Sequence, residues 1–138
     1  MGADWTTVAR TTLVGSETDS MSFPEGVNLL IEAGFDGYAV DFRRSVRTYY
    51  RPDGATLELA AEPTQPVAER FDADAVKAAI HEAQSGAAGY TYKGFCAKVA
   101  KAGCAGYLVS FPGRRVLYYG RTAETHTELF PGSAAKVD

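Results

Sequence analysis

The stretch AGFDGYAVDFRRSVRTYY, from Ala33 to Tyr50, returns in altered form as AGCAGYLVSFPGRRVLYY, from Ala102 to Tyr119. Shifting the chain on itself by 69 positions gives eight identities in these eighteen pairs, where unrelated sequence gives about one. Each copy opens on glycine, Gly34 or Gly103, a residue able to take the left-handed conformation that closes a helix. An alternating run follows, Tyr38-Ala39-Val40-Asp41-Phe42 or Tyr107-Leu108-Val109-Ser110-Phe111, with aromatic and branched residues on one face at period two. Turns at Arg43-Arg44-Ser45 and Pro112-Gly113-Arg114 reverse the chain into second strands ending on a tyrosine pair. Third strands are expected around Thr56–Ala60 and Thr125–Phe130.

Working outward, Phe23, Val27, Leu30 and Ile31 lie at i, i+4, i+7 and i+8, and Tyr92, Cys96, Val99 and Ala100 repeat that spacing. Both sets predict amphipathic helices ending at Gly34 and Gly103. Ser22-Phe23-Pro24-Glu25 reads as a capping box with proline in the first turn, and Thr91 caps the second helix. Two helices fall outside the repeat. Asp72 caps a bridging helix over about 72–84, with Phe71 and Val76 as its hydrophobic staple. An N-terminal helix from Trp5 to Val14 is capped by Asp4 and stopped at Gly15. The expected fold class is α+β: two tandem helix-strand-strand-strand units, about 22–60 and 91–130, forming an antiparallel sheet of about six strands with helices on one face. Residues 1–138 are expected to form a single domain.

With 46% hydrophobic and 22% charged residues, the chain falls in the ordinary globular range, which excludes disordered and fibrous classes. The first fifteen positions hold no signal-like apolar run, and no stretch is long enough to span a bilayer, so a cytoplasmic protein without membrane association is expected. Cys96 and Cys104 fit neither a zinc site nor a disulfide framework and read as free thiols, Cys96 on an apolar helix face. A net charge of −3 argues against wholesale nucleic-acid binding but leaves room for a local basic patch.

The combination Ser22-Phe23-Pro24, Gly37-Tyr38, Arg44, Thr48 to Gly54, Phe71-Asp72, Gly103-Cys104, Gly113-Arg114-Arg115 and His126 to Gly132 resembles the YdfO-like family. That family is a domain of unknown function (1398) often labelled "phage envelope protein", and the resemblance spans nearly the whole chain after about residue 20. It implies a His-x-Glu-Pro third strand in one or both halves and a histidine after the first-strand tyrosine. Here the second half keeps His126 and Glu128 of the first pattern, followed by Leu129. Leu57 and Leu59 stand at the same 69-residue offset in the first half, and Ala39 takes the place of the other histidine. An offset of 70 would instead pair Glu58 with Glu128, so two registers of the third strand stay open.

Candidate chemistry follows from residue type. His126 and Glu128, two apart on a strand, share a face and form a potential acid/base group, with Glu124 beside them if the strand begins that early. Tyr119 is grouped with them as a candidate catalytic phenol. Of the tyrosine pairs Tyr49-Tyr50 and Tyr118-Tyr119, one ring each belongs to the core and the other is free to face a ligand. Tyr38, Tyr50, Tyr107, His81, Arg44 and Arg115 are the candidate ligand-binding residues. Same-face strand carboxylates some 7 Å apart, without a second nearby histidine, give no metal site. No cofactor is expected, because nucleotide-binding and nucleophile motifs are missing.

The leading expectation is a small ligand-binding protein with a tyrosine-lined pocket near the join of the halves, polar at His126, Glu128 and an arginine. Such a pocket could run cofactor-free isomerisation, cyclisation or elimination. An alternative uses the hairpin arginines Arg43, Arg44, Arg47, Arg51, Arg114, Arg115 and Arg121, interleaved with tyrosine, to bind nucleic acid or an acidic protein. A second alternative, a phage-derived structural protein, predicts stable higher-order assembly.

Overall fold

A computed structural model of the chain describes residues 4–130. Four helices and six strands follow in the order α1 (Trp5–Glu17), α2 (Phe23–Glu32), β1 (Gly37–Asp41), β2 (Val46–Tyr50), β3 (Thr56–Ala60), α3 (Ala73–Ser85), α4 (Tyr92–Lys101), β4 (Cys104–Ser110), β5 (Arg115–Gly120) and β6 (Thr125–Leu129). The fold is α+β, with one antiparallel sheet ordered β3-β2-β1-β4-β5-β6. None of the helices among the described residues is long and apolar enough to cross a membrane.

Local signals act where they stand in the sequence. Ser22 accepts from the Glu25 amide at 3.2 Å while the Glu25 carboxylate takes the Ser22 amide at 2.8 Å, closing the capping box that starts α2. Thr91 and Asp72 cap α4 and α3 in the same manner. Gly34 and Gly103 both turn the chain out of a helix at positive φ, 92° and 93°. Ser45 and Arg114, 69 positions apart, take matching left-handed conformations in the two first hairpins.

The central pair sets the sheet. β1 runs antiparallel to β4 with Gly37 opposite Ser110 and Asp41 opposite Gly106. Outward from it, Tyr49 faces Leu57 across β2 and β3, and Tyr118 faces His126 across β5 and β6. Both pairings use the 69-residue offset, so His126 and Glu128 take the places of Leu57 and Leu59, and the offset of 70 is excluded by geometry. Side chains alternate between two faces. Tyr38, Val40, Tyr49, Tyr107, Val109, Val116 and Tyr118 point inward and are buried beneath the helices, with Leu30, Val76, Ile80 and Val99 packing from above. Among the described residues no helix covers the opposite face, where Tyr50 and Leu108 are exposed.

Two expectations about the helices need correction. Gly15 does not stop α1, which continues to Glu17 and is capped at Thr18. Instead Gly15 is buried where a Cβ would sit 2.7 Å from that of Met21, so the missing side chain makes room for the returning chain. The apolar stripe of α2 is also narrower than its spacing implies. Val27 and Leu30 are buried, but Phe23 and Ile31 remain exposed.

Candidate ligand-binding site

The register lines up two inward rows across the sheet. One reads Leu59, Arg47, Val40, Tyr107, Tyr118, His126, and the next reads Leu57, Tyr49, Tyr38, Val109, Val116, Glu128. A shift of 69 residues exchanges these rows. Tyrosines and valines at the four central positions then match, whereas Arg47 exchanges with Val116, and His126 and Glu128 exchange with leucines. The polar groups of this face therefore sit in unlike places on the two wings.

Between these rows and the helices lies a cavity of about 650 Å³. Tyr38, Tyr107, Val116 and Tyr118 form its floor on the sheet, and Thr12, Leu30, Ile80 and Phe95 cover it from the four helices. Its exposed margin is the turn around Asp19–Glu25 together with Leu129 and Phe130, where Phe23 and Phe130 meet edge to face at 5.4 Å. A volume of this size, mostly apolar with a few polar groups, is that of small-molecule sites in general.

Arg47 is the one cation in the cavity wall among the described residues, and only 2% of it is exposed. Its Nη2 donates to the Tyr92 hydroxyl at 2.9 Å, and Tyr92 meets the Tyr107 hydroxyl at 2.6 Å. The guanidinium carbon lies 4.8 Å from the centre of the Tyr38 ring and 5.5 Å from that of Tyr92, a cation–π arrangement. Its Nε is buried with no hydrogen-bond partner among the described residues.

Burial holds the surrounding phenols neutral. It pushes Tyr38 up to about 12 against the opposing pull of the Arg47 charge, and it drives Tyr92 and Tyr107 well above the ordinary phenol value. Cys96, behind this cluster, is pushed by burial up to about 11 and is an inert thiol.

At the other end His126 Nε2 and Glu128 Oε2 are 2.6 Å apart, with side chains 18% and 21% exposed. The His126 ring stacks on Tyr118 at 6.5 Å between centres, and Glu128 lines the cavity. Glu124 turns away, accepting from the Thr122 hydroxyl at 2.7 Å.

The other candidate residues lie elsewhere. Tyr50 and Tyr119 are on the helix-free face, opposite Gly37 and Gly106 on the neighbouring strands. The Tyr119 hydroxyl would stand 2.5 Å from a Cβ at Gly106, so this ring covers the glycine of β4. His81 is exposed on α3. Arg44 is exposed and paired with Glu58 at 3.1 Å, and Arg115 is exposed with its Nε donating to the Gly113 carbonyl at 3.0 Å. The cavity thus gathers Tyr38, Tyr107 and Glu128, with His126 bonded to its edge, and it does not include Tyr50, Tyr119, His81, Arg44 or Arg115.

Arg47, Tyr92 and Tyr118 were the residues that sequence reasoning did not place in the site. A signal for Arg47 existed. Tyr49 is a core ring, and a residue two positions before it on a strand must share its face, which points Arg47 inward. Tyr92 carries no comparable signal, because its place as the partner of Arg47 depends on how α4 crosses β2.

No curated protein matches the chain. A family model described as "Protein of unknown function (DUF1398)" matches residues 57–128, from β3 to the glutamate that edges the cavity. This match covers just over half of the sequence, and the chain belongs to the DUF1398 family.

Proposed function

We propose that the chain is a small-molecule-binding protein whose ligand lies between the helices and the sheet, against Tyr38, Tyr107 and Tyr118. The observation that carries this reading is the cavity of about 650 Å³, walled by aromatic rings and holding one buried cation. Burying a drug-sized ligand among apolar and aromatic walls with few polar anchors is the general design of binding pockets. The test is a screen of flat aromatic fragments by ligand-observed NMR against wild type and Ala83→Phe, which fills the cavity from α3. Hits that vanish with Ala83→Phe but persist with Leu108→Thr on the opposite face are the expected result. An absence of hits, or hits indifferent to Ala83→Phe, overturns the reading.

The pairing of His126 with Glu128 at the cavity edge favours a second, narrower reading: cofactor-free acid/base chemistry on the bound molecule, with the carboxylate and imidazole passing a proton between them. Its readout is exchange of a ligand C–H proton with deuterated solvent, present in wild type and lost in Glu128→Gln. A bound ligand whose protons never exchange removes the catalytic reading and leaves binding intact.

A further inference from the structure

Arg47 is buried, and arginine stays protonated in proteins, so a full positive charge resides beneath the helices. Among the described residues no carboxylate lies within ion-pair distance of it. The nearby Glu17 is engaged elsewhere, its Oε2 accepting from the Glu62 amide at 2.7 Å. The acids of the cavity wall are likewise occupied: Glu25 in its capping box, Asp19 by the Tyr92 amide, and Glu128 by His126. Asp19 and Glu25 also lie on the exposed margin rather than inside. Among the described residues, tyrosine faces and one phenol oxygen are the only counterparts of the guanidinium, and its Nε–H has no partner. A buried charge so weakly compensated is costly to the folded protein unless something completes it.

Resting on the binding reading above, we infer that Arg47 anchors the single negative charge of an organic carboxylate whose flat apolar body lies along Tyr38, Tyr107 and Tyr118. A monoanion fits because, among the described residues, the wall offers one cation and no second lysine or arginine, where a phosphate dianion calls for more. The guanidinium N–H groups not given to Tyr92 supply the hydrogen bonds a carboxylate accepts, and the apolar surroundings strengthen the pairing by excluding water. The aromatic floor selects the body attached to it.

The experiment compares naphthoate with its uncharged isostere naphthamide by titration calorimetry, on wild type and on Arg47→Met. In wild type, naphthoate is expected to bind at least about tenfold tighter than naphthamide, the scale of one charge-assisted hydrogen bond. In folded Arg47→Met that preference disappears while naphthamide binding is kept. Should Arg47→Met not fold, the side-chain Nε–H NMR signal of Arg47 in wild type decides, since naphthoate must shift it and naphthamide must not. Equal affinities in wild type, a preference that survives in Arg47→Met, or an unmoved Nε–H signal each overturn the carboxylate assignment and leave the binding reading standing. Failure of both compounds to bind overturns the binding reading itself.

Discussion

The two wings of the sheet, β2–β3 and β5–β6, share a backbone and differ in what they carry inward. The first wing presents Arg47, Leu57 and Leu59, and the second presents Val116, His126 and Glu128 at the corresponding places. Where the wings meet, Tyr38 matches Tyr107 and Val40 matches Val109. The centre thus supplies a symmetric aromatic floor, while charge is divided: a lone buried cation on one side, a histidine–carboxylate pair on the other. Equivalent backbone positions can therefore carry unequal duties, and each difference can be tested by changing one wing at a time.

The largest expected contrast lies at the two helix stops. A Cβ at Gly103 would collide with the Arg70 carbonyl oxygen and the backbone of Phe71, whereas at Gly34 it meets the movable end of Arg51 at 2.9 Å. Both sites have positive φ. Gly103→Ala is expected to cost about 4 kcal/mol or more and Gly34→Ala about 1 to 2, as read by urea unfolding. Equal costs would mean that the segment before α3 does not press on Gly103 as described.

Alkaline titration probes the floor that the wings share. The Tyr38 phenol ordinarily ionises near 10, and in the fold it is pushed up to about 12. The folded form keeps a proton that the unfolded chain has given up, so the contribution of Tyr38 to stability is full below pH 10 and is lost as pH rises through about 12. Cys96 and Cys104, moved by burial from 9.0 to about 11, start the fall about one unit earlier. The loss should be on the order of 2 kcal/mol per buried group, seen as a declining Tm in calorimetry while the Tyr38 ring stays protonated until unfolding. Ionisation of the Tyr38 ring itself in the native state near pH 10, followed by its own NMR signals, would show that the floor is wet.

Removing the charge of the first wing should change stability less. Arg47→Met is expected to leave the unfolding free energy within about 1 kcal/mol of wild type, or to raise it, because an unpaired buried charge is replaced by an apolar chain of similar length. A loss above about 2 kcal/mol would make Arg47 a structural residue. The smallest effect belongs to the second wing. A double-mutant cycle on His126→Leu and Glu128→Leu, which restores the leucines of the first wing, should give a coupling of about 0.5 to 1 kcal/mol for a partly exposed pair. No coupling would show that their 2.6 Å contact is incidental to stability.

Much of this architecture was legible in the sequence because its determinants are local. Ser22 and Glu25 cap α2, Gly34 and Gly103 end helices, and the alternation of Tyr, Val and Phe marks β1 and β4, each through groups within a few residues of one another. The same locality explains the error at Gly15. Glycine signals freedom to leave a helix, but here Met21 packs against it from the following turn. His126 and Glu128 were found as a pair because their spacing on one strand is enough to join them.

Arg47 shows what the linear reading could not supply. Its charge and its place in β2 follow from the sequence, and strand parity is enough to turn it inward. That its partners are the rings of Tyr38 on β1 and Tyr92 on α4, with no carboxylate beside it among the described residues, follows only from the stacking of helices on the sheet. The sequence by itself determined the elements and the residue differences between the two stretches that lie 69 positions apart. The tertiary structure decided which face each tyrosine serves, which arginine is buried, and that a cavity separates the two polar ends, because those depend on packing between segments far apart in the chain.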